Sequence, residues 1–374
     1  MAKKQNQFLC SECGDVFPKW VGKCPSCGVF DSVKEFRESS MSSKSNGERD
    51  GVDLVISEER REKKEGNKLT RLETQMSELD RVLGGGFFPG SLILFGGHPG
   101  IGKSTLSLQI FLSLENAMYF SGEESVDQVA SRASRLEAKE QRSQGAGQDT
   151  PSSSLPLPRI FSTNSLEDIV ATVEKHKPSF IIVDSIQMIG SSTSNFGTIS
   201  QIRENAETLL KVAKNWGVTV LAIGPVTKND ELAGPKVLEH IVDAVLYLEG
   251  DRNTELRILR SPKNRYGSTL EVGVFEMTGS GLQELLNPSE FFLAERAPGS
   301  TGSAITVVRE GARNFLMEIQ ALTIKTNFGQ PRRTAHGLDL SKFHLLLAVI
   351  SKFTPFPCHE FDGYLNVIGG LKVT

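Results

Sequence analysis

Gly97-His98-Pro99-Gly100-Ile101-Gly102-Lys103-Ser104 follows the apolar run Ser91-Leu92-Ile93-Leu94-Phe95 and leads into Thr105 to Leu114, where Leu106, Ile110 and Leu114 recur at helical spacing. The pattern is that of a phosphate-binding loop, G-x-x-x-x-G-K-[ST], set between a buried strand and a helix. Glycines let successive backbone N–H groups curl around phosphate oxygens, and the new helix points its positive end at them. Gly97, His98, Pro99, Gly100, Ile101, Gly102, Lys103, Ser104 and Thr105 are therefore expected to cradle the phosphates of ATP. Lys103 would reach the β- and γ-phosphates, and Ser104 would place its hydroxyl on Mg²⁺.

The rest of the chain sets limits on this reading. A length of 374 residues suggests two or three domains, and a formal net charge of -3 argues against wholesale coating of nucleic acid. No apolar stretch approaches the roughly 18 residues of a spanning helix, and Met1-Ala2-Lys3-Lys4-Gln5 lacks the apolar segment of a signal peptide. A cytoplasmic protein with no membrane partner is expected.

Four cysteines fall in Cys10-Ser11-Glu12-Cys13 and Cys24-Pro25-Ser26-Cys27, each pair followed by a glycine. In a reducing compartment two such knuckles read as a closed tetrahedral Cys₄ site for structural Zn²⁺. A segment this short cannot fold on apolar burial alone, and zinc would supply the difference. Cys358 stands alone and reads as an ordinary partly buried thiol.

Residues 37–68 are rich in serine, glycine and mixed charge and read as a linker after a ribbon at 1–36. From 69 to 288 strand-like and helix-like segments alternate, the signature of an α/β fold with a mainly parallel sheet and helices on both faces. Strands are expected at Ala117–Phe120, Ser179–Val183 and Val218–Ile223, with a helix carrying Ile202, Ala206, Leu209, Leu210 and Ala213 between the last two. Ala244–Leu248, Leu256–Leu259 and Leu270–Phe275 read as an antiparallel continuation. Residues 137–158, dominated by Gln, Ser, Gly and Pro, read as a floppy insertion. A smaller α+β unit is expected over 289–374, with strands at Ala304–Val308 and Met317–Leu322 and a helix at Leu338–Lys352.

Ile181-Ile182-Val183-Asp184-Ser185 is an apolar strand ending in a carboxylate, and Asp184 is expected to hold Mg²⁺ through water beside Ser104. Ser121-Gly122-Glu123-Glu124-Ser125 ends the strand after the phosphate-loop helix. Glu123 is the candidate base for activating water, with Glu124 capping the next helix. Lys263-Asn264-Arg265-Tyr266-Gly267 reads as a loop between two late strands that could insert Lys263 and Arg265 into a neighbouring subunit's nucleotide site.

Taken in order, the two cysteine knuckles with Trp20-Val21-Gly22-Lys23, the phosphate loop, Ser121–Ser125 and Lys263–Gly267 resemble the bacterial RadA (Sms) family of DNA-repair proteins across nearly the whole chain. Glu78-Leu79-Asp80-Arg81-Val82-Leu83-Gly84-Gly85-Gly86 likewise resembles the segment before the phosphate loop of RecA-like recombinases. The resemblance implies a zinc ribbon, a RecA-like P-loop ATPase core and a C-terminal domain similar to that of Lon protease. It also implies homo-hexameric rings that bind single-stranded and branched DNA, work with a RecA-type recombinase and use ATP to drive branch migration. Family sequences continue past Gly369–Thr374, so a Lon-like domain cut short is expected. Pro225 stands where the family usually has His, Tyr266 replaces the usual Phe, and the insertion over 141–158 has no clear counterpart.

Two other classes compete. A zinc-ribbon ATP switch that scaffolds repair partners would turn over ATP without regard to DNA. An ATP-dependent protease is disfavoured because no serine–lysine dyad is evident, Ser341 beside Lys342 reading as a helix cap. No basic block with interleaved aromatics marks a DNA groove. The candidate contacts are Lys228, Lys263 and Arg265, with Lys19, Trp20 and Lys23 on the ribbon as a further possibility.

Overall fold

The structure, a computed structural model, describes residues 7–10, 16–17, 19–23, 25, 30, 33–36, 70–143, 159–190, 197–224, 236–250, 254–294, 296–297, 299–327, 329–368 and 373. Cys13, Cys24, Cys27, the linker 37–68, residues 144–158, Pro225 and Lys228 lie outside the described residues.

Among the described residues, three sheets carry the chain. Near the N-terminus β1 (Gln7–Cys10) lies between β2 (Val16–Phe17) and β3 (Val33–Phe36), all antiparallel. The central sheet comprises β4 (Leu92–Gly97), β5 (Ala117–Ser121), β6 (Arg159–Ser162), β7 (Phe180–Asp184), β8 (Thr219–Ile223), β9 (Ala244–Glu249), β10 (Leu256–Asn264), β11 (Val272–Thr278) and β12 (Gly281–Glu284). Its order is β12-β11-β10-β9-β4-β8-β7-β5-β6. β6 through β9 pair in parallel across this order, and β10, β11 and β12 extend the sheet antiparallel beyond β9. A third sheet has the order β13-β14-β16-β15, from β13 (Ser303–Glu310), β14 (Arg313–Lys325), β15 (Arg333–His336) and β16 (Phe361–Val367).

Every residue of β4 is buried, because a parallel strand covered on both faces needs apolar side chains at consecutive positions. Ile93 and Phe95 point into one layer with the helices Ser77–Leu83 and Lys103–Ser113, while Leu92 and Leu94 point into the other with Leu166–His176 and Ile199–Trp216. β7 divides the same way, Phe180 and Ile182 against Ile181 and Val183.

Several local expectations are corrected. Lys263 and Asn264 do not lie in a loop: β10 runs through to Asn264, with a register shift between Arg260 and Lys263 at Pro262. A bulge is where a strand tolerates a residue with no N–H. Residues 137–143 are helical, because the helix Val126–Ser143 continues through a run of good helix formers. Its start is closed not by Glu124 but by a reciprocal Ser125–Gln128 pair, the Ser125 N–H donating to Gln128 Oε1 at 2.9 Å. The cap of the helix Leu340–Phe353 is Asp339, whose carboxylate accepts from the Ser341 and Lys342 amides, so Ser341 is not the cap.

The third sheet packs on the antiparallel extension. Leu256, Ile258, Val272 and Val274 share a core with Phe292, Val308, Phe315, Met317 and Val367. Glu78, fully buried, accepts from the Val274 amide at 2.9 Å and from Arg313 Nη1, which also donates to the Val272 carbonyl at 3.0 Å. Removing Arg313 leaves the buried Glu78 carboxylate with the Val274 amide and a longer 3.6 Å contact to Arg81, so Arg313→Ala is expected to cost about 3 kcal/mol in urea unfolding followed by circular dichroism. A change near zero would show that water already compensates Glu78.

Candidate nucleotide site

The phosphate loop leaves the C-terminal end of β4 and enters the helix Lys103–Ser113. Two glycines are forced by geometry. At Gly97 φ is +149° and a Cβ would lie 2.5 Å from the Leu248 carbonyl of β9. At Gly102, which caps the helix in a left-handed conformation, a Cβ would lie 2.4 Å from Met277 Cε. Side chains rarely adopt such backbones; at Gly97 a backbone carbonyl also leaves no room for one, whereas at Gly102, where the Met277 methyl can shift, the positive φ is the constraint.

Lys103 bends back onto the loop, its ammonium donating to the Gly97 carbonyl at 2.8 Å and the His98 carbonyl at 3.0 Å. Burial pulls its pKa below the ordinary lysine range, against the opposing pull of Asp184 and Glu123. The positive-φ glycines, a desolvated ammonium and the amino end of an 11-residue helix fit an anion at this place.

Along the same sheet edge, Ser121 is in register with Asp184, and Asp184 with Ile223. Asp184 thus lies two strands from β4, about 10 Å away at normal strand spacing. That separation suits a carboxylate acting through water on an ion held at Ser104. Beneath it, the buried Tyr119 hydroxyl donates to Asp184 Oδ2 at 2.6 Å. Burial, then the Asp184 charge, pushes the Tyr119 pKa well up, so the phenol stays a donor. Glu123 accepts from Ser185 Oγ at 2.9 Å and remains exposed, whereas Glu124 pairs with Arg132 at 2.8 Å. Tyr119 and Ser185 escaped the sequence reading. Their signals were a phenol inside an apolar strand and a serine directly after the strand-ending aspartate.

Lys263 and Arg265 are at the other end of the sheet. Asn264 pairs with Ala244, and Ala244 with Ile93, whereas the phosphate loop starts where Gly97 meets Leu248. Four residues along a strand are about 13 Å. There the Lys263 ammonium turns inward, donating to the Val242 carbonyl at 2.8 Å and to the Glu239 carbonyl. Burial, then the neighbouring Arg265, lowers its pKa. Arg265 is exposed and lies 3.7 Å from Asp243. Asp243 is buried and also accepts from Lys214 at 2.7 Å and from the Leu92 amide at 3.0 Å. Tyr266 stacks on Phe88 with centroids 4.0 Å apart, and its hydroxyl accepts from Lys214 at 3.1 Å. On the ribbon, Lys19, Trp20 and Lys23 are exposed.

The comparisons agree with this architecture. A family model described as ATPase: KaiC matches residues 72–283, and one described as a rubredoxin metal binding domain matches residues 8–35. The chain is thus a P-loop ATPase with a RecA-like core and an N-terminal zinc ribbon. It is 44% identical over 380 residues to the DNA repair protein RadA of Bacillus subtilis, covering 100% of this chain and 80% of that protein. The RadA proteins of Listeria monocytogenes, at 42% over 378 residues, and Rickettsia bellii, at 43% over 383 residues, are covered to 79% and 80%. The chain belongs to the RadA family of DNA-repair proteins. No helix among the described residues is long and apolar enough to cross a membrane.

A bound phosphate would raise the Lys103 pKa above this lowered value. Affinity should therefore be full below the lowered pKa and fall as pH rises through it, earlier than for an ordinary lysine. Titration with a fluorescent ATP analogue between pH 7 and pH 11 should show this decline, and a flat profile would place the ammonium outside the phosphate site.

Proposed function

We propose that this chain is a DNA-stimulated ATPase of recombinational repair, working as a homo-hexameric ring on single-stranded and branched DNA and driving branch migration beside a RecA-type recombinase. Residues 97–105 hold ATP, Ser104 and Asp184 hold Mg²⁺, and Glu123 takes the proton from the attacking water. A metal ion held by Ser104 and Asp184 would supply positive charge against the negative charge that develops on the phosphates. Cys10, Cys13, Cys24 and Cys27 hold a structural Zn²⁺.

The observation that carries the reading is the separation of Arg265 from its own phosphate loop by the length of β4. An exposed cation so placed cannot serve its own nucleotide, but it can serve a neighbour's if subunits stack edge to edge. Arg265 is then the charge-stabilising finger. Lys263, whose ammonium is engaged at Val242 and Glu239, presents it and adds positive charge. Lys228 and Arg265 are the proposed DNA contacts, the Lys263 ammonium being turned inward onto Glu239 and Val242.

Steady-state ATP hydrolysis with and without single-stranded DNA tests this. The parent should be stimulated by DNA, Lys103→Ala should be inactive, and Arg265→Ala should lose roughly 10³ in stimulated rate. Mixing the two variants should restore part of the activity, because one supplies the intact loop and the other the intact arginine. Turnover that ignores DNA would favour the scaffold reading, and no recovery on mixing would refute action between subunits.

A further inference from the structure

We propose that Arg257 is a positioning residue for phosphate binding: its Nε–H, bound to the Ile101 carbonyl, sets the Ile101–Gly102 peptide so that the Gly102 N–H faces the phosphate. This rests on the phosphate-loop reading above and deepens it.

Arg257 is on β10, two strands from β4, and is 6% exposed. Its Nε donates to the Ile101 carbonyl at 3.0 Å, and its Nη1 to the Thr254 and Leu256 carbonyls at 2.6 and 2.8 Å. The side chain passes close beside Gly250, where a Cβ would come within 2.8 Å of Arg257 Cδ. Its head is thus fixed by the carbonyls of Thr254, just before β10, and Leu256, at its start, and one donor is directed at the phosphate loop.

A trans peptide points its C=O and the following N–H in opposite directions. Holding the Ile101 oxygen toward β10 therefore turns the Gly102 N–H away from β10. The Ile101 side chain, 1% exposed, is buried in the core layer that holds Leu106 and Leu248. With side chain and carbonyl both anchored, the peptide cannot flip. A flipped peptide would replace an N–H donor with a carbonyl oxygen facing the anion, which repels it. Gly102 at φ +114° has the backbone freedom to allow that flip, so something outside the loop must prevent it.

Two substitutions separate a peptide clamp from a simple charge. Glutamine carries its amide nitrogen where arginine carries Nε, so Arg257→Gln keeps a donor for Ile101 and loses the positive charge. Arg257→Met loses both. Dissociation constants for ADP and ATP, measured by titration calorimetry, should rise together by about tenfold in Arg257→Met, the weight of one hydrogen bond to a charged partner. They should stay within about threefold of the parent in Arg257→Gln. In steady state the Met variant should raise KM and leave kcat nearly unchanged, which general loosening of the fold would not do. Equal losses in both variants would overturn the proposal in favour of long-range attraction, and so would loss for ATP but not ADP. Parent-like affinity in Arg257→Met would overturn it outright. If Arg257→Met does not fold, Arg257→Lys takes its place: it keeps the charge and puts a methylene where Nε stands, so the clamp predicts the same tenfold rise and parent-like affinity would overturn it. Absence of ADP binding by the parent would instead refute the phosphate-loop reading itself.

Discussion

Burial of β4 on both faces is the constraint on which the rest depends. A strand with water on neither side must be apolar throughout and paired on both edges, and β4 lies between β8 and β9 with all six residues buried. Its polar work is displaced to its ends. At the C-terminal end the chain has to leave the sheet, and it does so through Gly97 because the Leu248 carbonyl occupies the space a side chain would need. At the N-terminal end the Leu92 amide is satisfied by the carboxylate of Asp243, and the Asp243 amide by the Leu92 carbonyl. Nucleotide chemistry and the Arg265 loop are thus built on opposite ends of one rigid rod.

That arrangement explains why Asp243 can be buried. A lone carboxylate at 1% exposure would be costly, but this one meets the Leu92 N–H, the Lys214 ammonium and the Arg265 guanidinium. The 3.7 Å contact to Arg265 is the longest of the three, and Arg265 is the more exposed of the two cations. The strong contacts hold the base of the loop, and the weak one leaves the guanidinium able to turn to another anion. Tyr266, stacked on Phe88, stiffens the loop from the side.

The sequence was most legible where burial is two-sided. β4, β5, β7, β8 and β9 are continuous apolar runs, and each was found within a residue or two. The edge strand β6 (Arg159–Ser162), with no buried residue, left no such trace and was missed. Pro262 misled in the opposite direction, because a bulge let the strand pass a residue that would otherwise end it. At the site, motif residues were legible because loop and strand chemistry are local in sequence. Tyr119, Ser185, Lys214 and Asp243 act through partners far along the chain, and pairing at that range leaves no spacing to read. Arg257 did leave one clue, a charged residue inside Leu256-Arg257-Ile258-Leu259, where every neighbour is buried.

β10 shows how such distant partners become one structure. Near its start Arg257 holds the phosphate loop at Ile101. In the middle Arg260 is shared by Glu249 at 3.1 Å and Glu310 at 2.8 Å, joining the central sheet to β13. Burial alone would disfavour that guanidinium, but the two carboxylates more than offset it, and its pKa rises. Near its end Lys263 ties down the turn at Glu239 and Val242. Three cations on one strand would repel one another if they shared a face without anions. They are instead spaced along it, with acceptors supplied by three different parts of the fold. The bulge between Arg260 and Lys263 resets the register between the second and third of these contacts, so the last cation is placed independently of the first two. A strand that reads in sequence as one member of an antiparallel continuation is therefore the element through which the phosphate loop, the third sheet and the Arg265 turn hold fixed positions relative to one another.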